Sequence, residues 1–441
     1  MLKLRVQRLT AAALMRRASL AYLIIWVLSP PMAYGTGWRV LAVLAMLLWL
    51  ALDTLSPRSV LRKPNWPVLS SLMYIIYTVF LEWLVPDQAT INQQFSIWIM
   101  LFFLMVGESQ RRGNSTDAQF CFWVMLLVMP IWSFATLRGL TNISADVART
   151  MSRASEEAKE LSAQGIGGFG YIYTVVLCIP FLAQLALRDR HEWWLGQKRW
   201  SRRLAKLIIW INFLLASLLV FRAGYTIALI LSAFAILSVV MIRSRRTMPF
   251  AISICVVCIA VLLAGLALKP ALRGMEGMVT GTEYASKVRD IRSLLEEDQS
   301  TGTVDTRAEA YGRSIRLFFE NPVVGTLTFD DIGKHSAILD RYAQYGILFG
   351  FIFMALLIHV PIRVMRSSGA PVGLALSFLI VAIGFPLLNP VFMGWGLILF
   401  IFSRGALMVM GVSMDQAGRM GKLEQEQRHE RTAPSRMLRP R

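Results

Sequence analysis

Residues 204–242 read LAKLIIWINFLLASLLVFRAGYTIALILSAFAILSVVMI, an apolar run interrupted mainly by Arg222. As one α-helix it would extend about 58 Å at ~1.5 Å per residue, nearly twice the roughly 30 Å hydrocarbon thickness of a bilayer. So long an apolar helix fits neither water nor a single membrane crossing. The chain must fold back on itself, and Phe221-Arg222-Ala223-Gly224 is the natural turn. Two apolar spans joined this tightly imply an all-α polytopic membrane protein, because helices satisfy every backbone hydrogen bond within lipid.

The same reading extends outward in both directions. Apolar blocks predict about twelve spans, at 18–35, 38–54, 67–85, 94–107, 119–137, 168–187, 204–221, 223–242, 249–268, 343–362, 371–388 and 391–411. Only 17% of the 441 residues are charged and 56% are hydrophobic, whereas soluble domains carry roughly 25% charge, so the solvent of most of the chain is lipid. The domain organisation read from this is a basic cytoplasmic segment at 1–17, a transmembrane body at 18–411 and a basic, disordered cytoplasmic tail at 412–441. The first apolar block lacks a small-residue cleavage pattern and reads as a retained span.

The net charge of +19 raises the question of nucleic acid. The basic residues argue against it, being spread over alternate short loops: Lys3, Arg5, Arg8, Arg16 and Arg17; Arg58, Arg62 and Lys63; Arg111 and Arg112; residues 188–203; Arg243, Arg245 and Arg246; Arg363 and Arg366. That alternation follows the positive-inside rule and puts both termini in the cytoplasm. Two long loops, 138–167 and 269–342, then lie outside, where polar chemistry could sit. A helix is expected from 144 to 162, followed by Gly165-Ile-Gly-Gly-Phe-Gly170, which reads either as a phosphate cradle or as a turn into a tightly packed span. Cys121, Cys178, Cys255 and Cys258 all fall in spans, so the Cys255/Cys258 pair reads as packing in preference to redox or zinc chemistry.

Chemistry-bearing residues gather around the second loop. Arg222 is an isolated cation at the outer turn, either functional or an anchor for lipid headgroups. An amphipathic helix is expected at 306–320, with Thr306 and Glu309 at capping-box spacing and Asn321-Pro322 as its stop. Ala308, Tyr311, Ile315, Phe318 and Phe319 form its apolar stripe; Glu309, Arg313, Arg316 and Glu320 form a solvated opposite face. Arg307 flanks the stripe, where a guanidinium can grip a diphosphate bidentately. His335 immediately precedes a long helix expected at 337–364. A helix amino terminus disfavours imidazolium, which suits a neutral base for a sugar hydroxyl. Asp330, Asp331 and His335 could alternatively hold a divalent cation, and a lone histidine is more often structural.

The order of these elements is more specific than any one of them. An arginine at an outer turn is followed by a long loop with Arg307-x3-Tyr311, Glu320-Asn-Pro-Val-Val-Gly325, Lys334-His335-Ser336 and then Tyr345-Gly346. Over roughly 165–365 this resembles the O-antigen polymerase and ligase superfamily of bacterial envelope glycan assembly. The resemblance implies a GT-C-type fold in the bacterial inner membrane and undecaprenyl-diphosphate-linked glycans as substrates on the periplasmic side. It also implies inverting transfer without a metal or other cofactor. It assigns Arg222 and Arg307 to the diphosphate and His335 to the acceptor hydroxyl; Arg313, Arg316, Lys334, Arg341 and Tyr311 are further candidates for glycan or phosphate. Membrane lipids are partners, and a chain-length regulator protein is compatible with it. Phe221, Tyr311 and Leu327 depart from a pattern that often has Ser, Trp and Gly at those places. Polymerase is the reading adopted. A ligase passing glycan to lipid A core is its neighbour, and a twelve-span transporter or flippase is the alternative of another class. The transporter would require charge near the bilayer midplane, for which Glu82 near an outer end and Arg404, expected to snorkel to the inner surface, are weak candidates.

Overall fold

A computed structural model describes residues 11–33, 35–56, 59–84, 91–112, 115–143, 147, 151, 155–187, 199–242, 303–328 and 332–410. Among them the chain is all helical. The helices are α1 (Ala11–Leu28), α2 (Thr36–Thr54), α3 (Trp66–Leu84), α4 (Ile91–Arg111), α5 (Ser115–Asn142), α6 (Glu156–Ala163), α7 (Phe169–Leu187), α8 (Arg199–Ala223), α9 (Thr226–Met241), α10 (Thr303–Glu320), α11 (Ala337–Ser368), α12 (Val372–Leu388) and α13 (Met393–Val409). Seven of these described helices are long and apolar enough to cross a membrane: α1, α2, α3, α5, α7, α8 and α11. Helices α9, α12 and α13 are shorter and equally apolar. The protein is therefore a membrane-embedded helical bundle. The expected span at 249–268, Cys255, Cys258 and the tail at 412–441 lie outside the described residues.

The 204–242 run does fold back: α8 ends at Ala223, Gly224 adopts φ +59°, and α9 starts at Thr226. Helix α1 starts earlier than expected, at Ala11, because Arg16 and Arg17 are carried inside it by Asp117 at the head of α5, at 2.6 and 2.8 Å. Pro30 and Pro31 end it.

Helices α7 and α13 form the core. Every residue of α7 from Tyr171 to Ala186 is buried, as a helix that is apolar all round must be. It packs on α8, α9 and α12, while α13 packs on α4 and α5. Glycines permit the closest crossings: a Cβ on Gly405 would stand 2.4 Å from the Ala118 carbonyl oxygen. Outer helices leave apolar faces uncovered, such as Leu44 and Leu47 on α2, Ile76 and Phe80 on α3, and Leu214 and Leu218 on α8.

The bundle has two chemically distinct ends. At one, Glu108 of α4 is wholly buried and accepts from Asn65 Nδ2 at 2.6 Å, Arg111 Nε at 3.0 Å, Arg404 Nη2 at 2.9 Å and the Arg363 guanidinium. Beside it, Asp53 of α2 accepts from Ser109 Oγ at 2.7 Å and Ser59 Oγ at 3.0 Å. Arg404 thus does not snorkel. It is 1% exposed, because a carboxylate one helix away satisfies it more fully than the surface could. The opposite end is closed by Ser162 Oγ donating to the Pro30 carbonyl at 2.5 Å, and by α10 and the head of α11 seated on the end of α12. The glycine cluster at this end is a packed turn. Gly165 to Gly167 are buried, Gly165 has φ +84°, and the Gly167 N–H is taken by Thr136 Oγ1 at 2.8 Å. Helix α6 spans Glu156–Ala163 and is capped by Ser155; of the helix expected from 144 to 162, residues 144–146, 148–150 and 152–154 lie outside the described residues.

Candidate functional site

The site is built on the carboxyl end of α12. The last carbonyls of any helix have no intrahelical partner, and its dipole favours a cation there. Here other elements supply the donors. The Leu388 carbonyl accepts from Arg307 Nη1 at 3.3 Å and from the Tyr311 hydroxyl at 3.1 Å. The Asn389 carbonyl accepts the Ala337 N–H at 3.1 Å, and the Pro386 carbonyl accepts from Ser336 Oγ at 3.4 Å. One helix end thereby holds both α10 and the first turn of α11.

Helix α10 begins at Thr303, so Thr306 lies inside it and is not its cap. The helix meets α11 and the turn before it through Ala310, Ser314 and Phe318, and not through Ile315 and Phe319 of the expected stripe, which are exposed. Gly333 passes so close that a Cβ there would fall 2.1 Å from the Ala310 carbonyl oxygen. Ser314 Oγ donates to Asp340 Oδ1 at 2.7 Å and accepts the Gly333 N–H at 2.9 Å. Asp340 Oδ2 accepts the Ser336 N–H at 3.1 Å, and Ser336 caps α11 through the Leu339 N–H at 3.2 Å. His335 is held between two residues whose backbone N–H or side chain belongs to this network. Ser314, Asp340 and the α12 carbonyls escaped the sequence reading. The helical spacing of Arg307, Tyr311 and Ser314 on one face was the available signal.

His335 is half-buried and faces Arg307 and Asp340. Burial, and then the neighbouring Arg307 charge, hold its imidazole below the usual histidine range, against an opposing pull from Asp340. The ring is therefore neutral at neutral pH and able to accept a proton. Arg307 also reaches electrostatically to Tyr173 of α7. Tyr173 lies 5.7 Å from the Tyr225 ring and 4.7 Å from Phe385, with Phe169 and Phe392 completing an aromatic wall. Arg222, half-buried in the last turn of α8, is three residues before Tyr225 and so joins the same end of the bundle.

The other candidates lie apart. Arg313 and Arg316 are exposed on the outward side of α10, and Lys334 is exposed at φ +60°. Arg341 is 7% exposed on another face of α11. Its guanidinium hydrogen-bonds Gln344 Oε1 and lies 5.7 Å from the Tyr345 ring centroid and 5.9 Å from that of Phe353. Tyr345 in turn meets Gln94 of α4 and packs on Tyr74 and Tyr77 of α3. Asp330 and Asp331, the carboxylates of the metal alternative, lie outside the described residues.

Helix α11 is not continuous. Gly346, at φ +66° and ψ −168°, breaks it, and the freed groups bond the preceding loop. Thr326 and Leu327 donate to the Ala343 and Gln344 carbonyls at 2.9 Å each, and the Ile347 N–H donates to the Pro322 carbonyl at 2.8 Å. Gly325 and Gly346 allow that contact; a Cβ on Gly346 would stand 2.1 Å from the Val323 carbonyl oxygen. The short segment bearing His335 at its head is thus fixed independently of the membrane-crossing remainder.

No protein-family model matches the chain, and neither does any curated protein or solved structure.

Proposed function

We propose that this chain is a membrane glycosyltransferase of GT-C-like architecture, with about twelve spans in a bacterial inner membrane. It polymerises undecaprenyl-diphosphate-linked oligosaccharide units at the periplasmic face. The observation that carries the reading is the meeting of Arg307 and Tyr311 with a half-buried, neutral-leaning His335 at the end of α12, across a sequence separation that only folding could close. The arginine-rich Glu108 end is cytoplasmic by the positive-inside rule, which makes the His335 end extracytoplasmic.

The chemistry follows from those groups. An acceptor hydroxyl attacks the anomeric carbon from the side opposite the diphosphate and gives its proton to the His335 imidazole. The anomeric C–O bond breaks, and its electron pair leaves with the diphosphate. Arg307, with Arg222 from the neighbouring turn, neutralises the charge gained there; a guanidinium has five N–H donors, of which the α12 carbonyl engages one. The products are a lengthened glycan with inverted anomeric configuration, undecaprenyl diphosphate and a proton released from His335. The partly exposed rings of Phe169, Tyr225 and Phe392, packed around the buried Tyr173, offer sugar faces or a prenyl chain a surface to lie on.

The test is a chromosomal His335→Ala exchange, with lipid-linked intermediates and surface glycan analysed together. The expected result is single repeat units on the carrier and no polymer, with normal amounts of the protein in the membrane. Long chains left on the carrier would identify a ligase instead, and unchanged polymer would dismiss the base role.

A further inference from the structure

The side chains of α10 fall into three sectors at about 100° per residue. Arg307, Ala310, Tyr311, Ser314 and Phe318 face the bundle; Phe318 packs on Tyr342 with ring centroids 5.4 Å apart. Glu309, Arg313, Arg316 and Glu320 form a charged, exposed sector. Between these two lies an apolar strip that nothing in the described structure covers: Ile315 is 43% exposed and Phe319 73%, beside exposed Ala308 and a Gly312 with open space around it. The turn that follows continues the strip, with Val323 70% and Val324 57% exposed. Water alone would penalise such a face.

The strip is physically joined to a membrane-crossing surface. The Ile347–Pro322 hydrogen bond fastens the Val323–Val324 turn to α11 just past its break, and from there Ile347, Leu348 and Phe351 are each more than half exposed along a helix long and apolar enough to span a bilayer. From this continuity we propose that α10 lies along the membrane surface at the His335 end of the bundle. Ile315, Phe319, Val323 and Val324 then sit among lipid acyl chains, and the Arg313/Arg316 sector faces headgroups and water. An amphipathic helix lying in the interface in this way has its two faces at different depths. Because Arg307 and Tyr311 belong to the same helix, this placement fixes them at the level of lipid phosphates. This placement of α10 follows from the membrane-embedded fold whatever reaction the chain performs.

The experiment places single cysteines at Phe319, Arg316 and Leu348 in full-length protein whose four native cysteines are replaced by alanine. Each carries an environment-sensitive fluorophore in phosphatidylglycerol/phosphatidylethanolamine vesicles. Quenching by acyl-chain nitroxide lipid is compared with quenching by aqueous iodide. The expected ratio of lipid to iodide quenching at Phe319→Cys is at least about threefold that at Arg316→Cys and close to that at Leu348→Cys. Iodide quenching of Phe319→Cys equal to that of Arg316→Cys would overturn the proposal in favour of a solvated helix. Protection from both quenchers would overturn it in favour of a protein cover, either a second copy or residues 243–302. Val323→Cys repeats the measurement if a label at Phe319 is not tolerated.

Discussion

Replacing Glu108 with alanine removes the one carboxylate around which three arginines are arranged. The cost is unevenly shared. Arg111 keeps 38% and Arg363 27% of its side-chain surface in solvent, so water recovers much of what those pairs lose, and each contributes on the order of 1 kcal/mol or less. Arg404 has no such recourse at 2% side-chain exposure. Breaking a buried pair on one side typically costs about 3–5 kcal/mol, most of it from the stranded charge. The lost Asn65 hydrogen bond adds roughly 1 kcal/mol. A fall of at least about 3 kcal/mol is expected, corresponding to a drop on the order of 3 °C or more in apparent melting temperature for a chain of 441 residues. Thermal scans of purified protein in mild detergent measure it. The diagnostic companion is Glu108→Leu combined with Arg404→Met, which removes both buried charges and should recover most of the loss. Glu108→Ala melting within 1 °C of the parent would refute the reasoning, as would a double variant no better than the single.

Other expectations follow from the opposite end. Gly346→Ala forces a side chain into a backbone region open essentially to glycine and against the Val323 carbonyl; about 2–4 kcal/mol should be lost, together with polymer formation, measured by detergent melting and glycan gels. Ser314→Ala removes a donor to Asp340 and an acceptor for Gly333, at about 1–2 kcal/mol, and polymer per membrane-inserted molecule should fall several-fold because the His335 loop loosens. His335 titrates below the usual histidine value of about 6.5, so activity should persist to lower pH than an ordinary histidine base would allow. In the window between the lowered and ordinary values the unfolded chain binds more protons than the folded one, so stability should rise with pH there. Arg307→Gln removes one of the lowering influences and should move the His335 titration upward, as read by NMR of labelled histidines.

The membrane fold was legible because lipid demands long apolar runs and a run too long for one crossing demands a turn; 204–242 showed both. Charge alternation separated the two ends of the bundle for a related reason. The buried arginine was not legible. Arg404 and Glu108 are 296 residues apart, and nothing local distinguishes a snorkelling arginine from one neutralised by a distant helix. The break at Gly346 was hidden inside an apolar stretch, since glycine is ordinary in spans and only the reception of Thr326 and Leu327 by its freed carbonyls reveals its purpose. Around the site, residue types singled out Arg307, Tyr311 and His335, while the supports Ser314, Asp340 and the carbonyls of α12 are chemically commonplace and acquire meaning only through tertiary placement. The stripe on α10 was identified correctly as apolar, but periodicity could not say which part would meet protein and which would stay uncovered.

The most direct measurement is reconstitution of the purified protein in vesicles with undecaprenyl-diphosphate-linked repeat units, in chelator and without any nucleotide sugar, followed by gel separation of the glycans. A ladder of lengthening products, abolished by His335→Ala and by Arg307→Ala in protein that still melts normally, is the result this account predicts. A ladder that persists at full yield when both residues are replaced would contradict it.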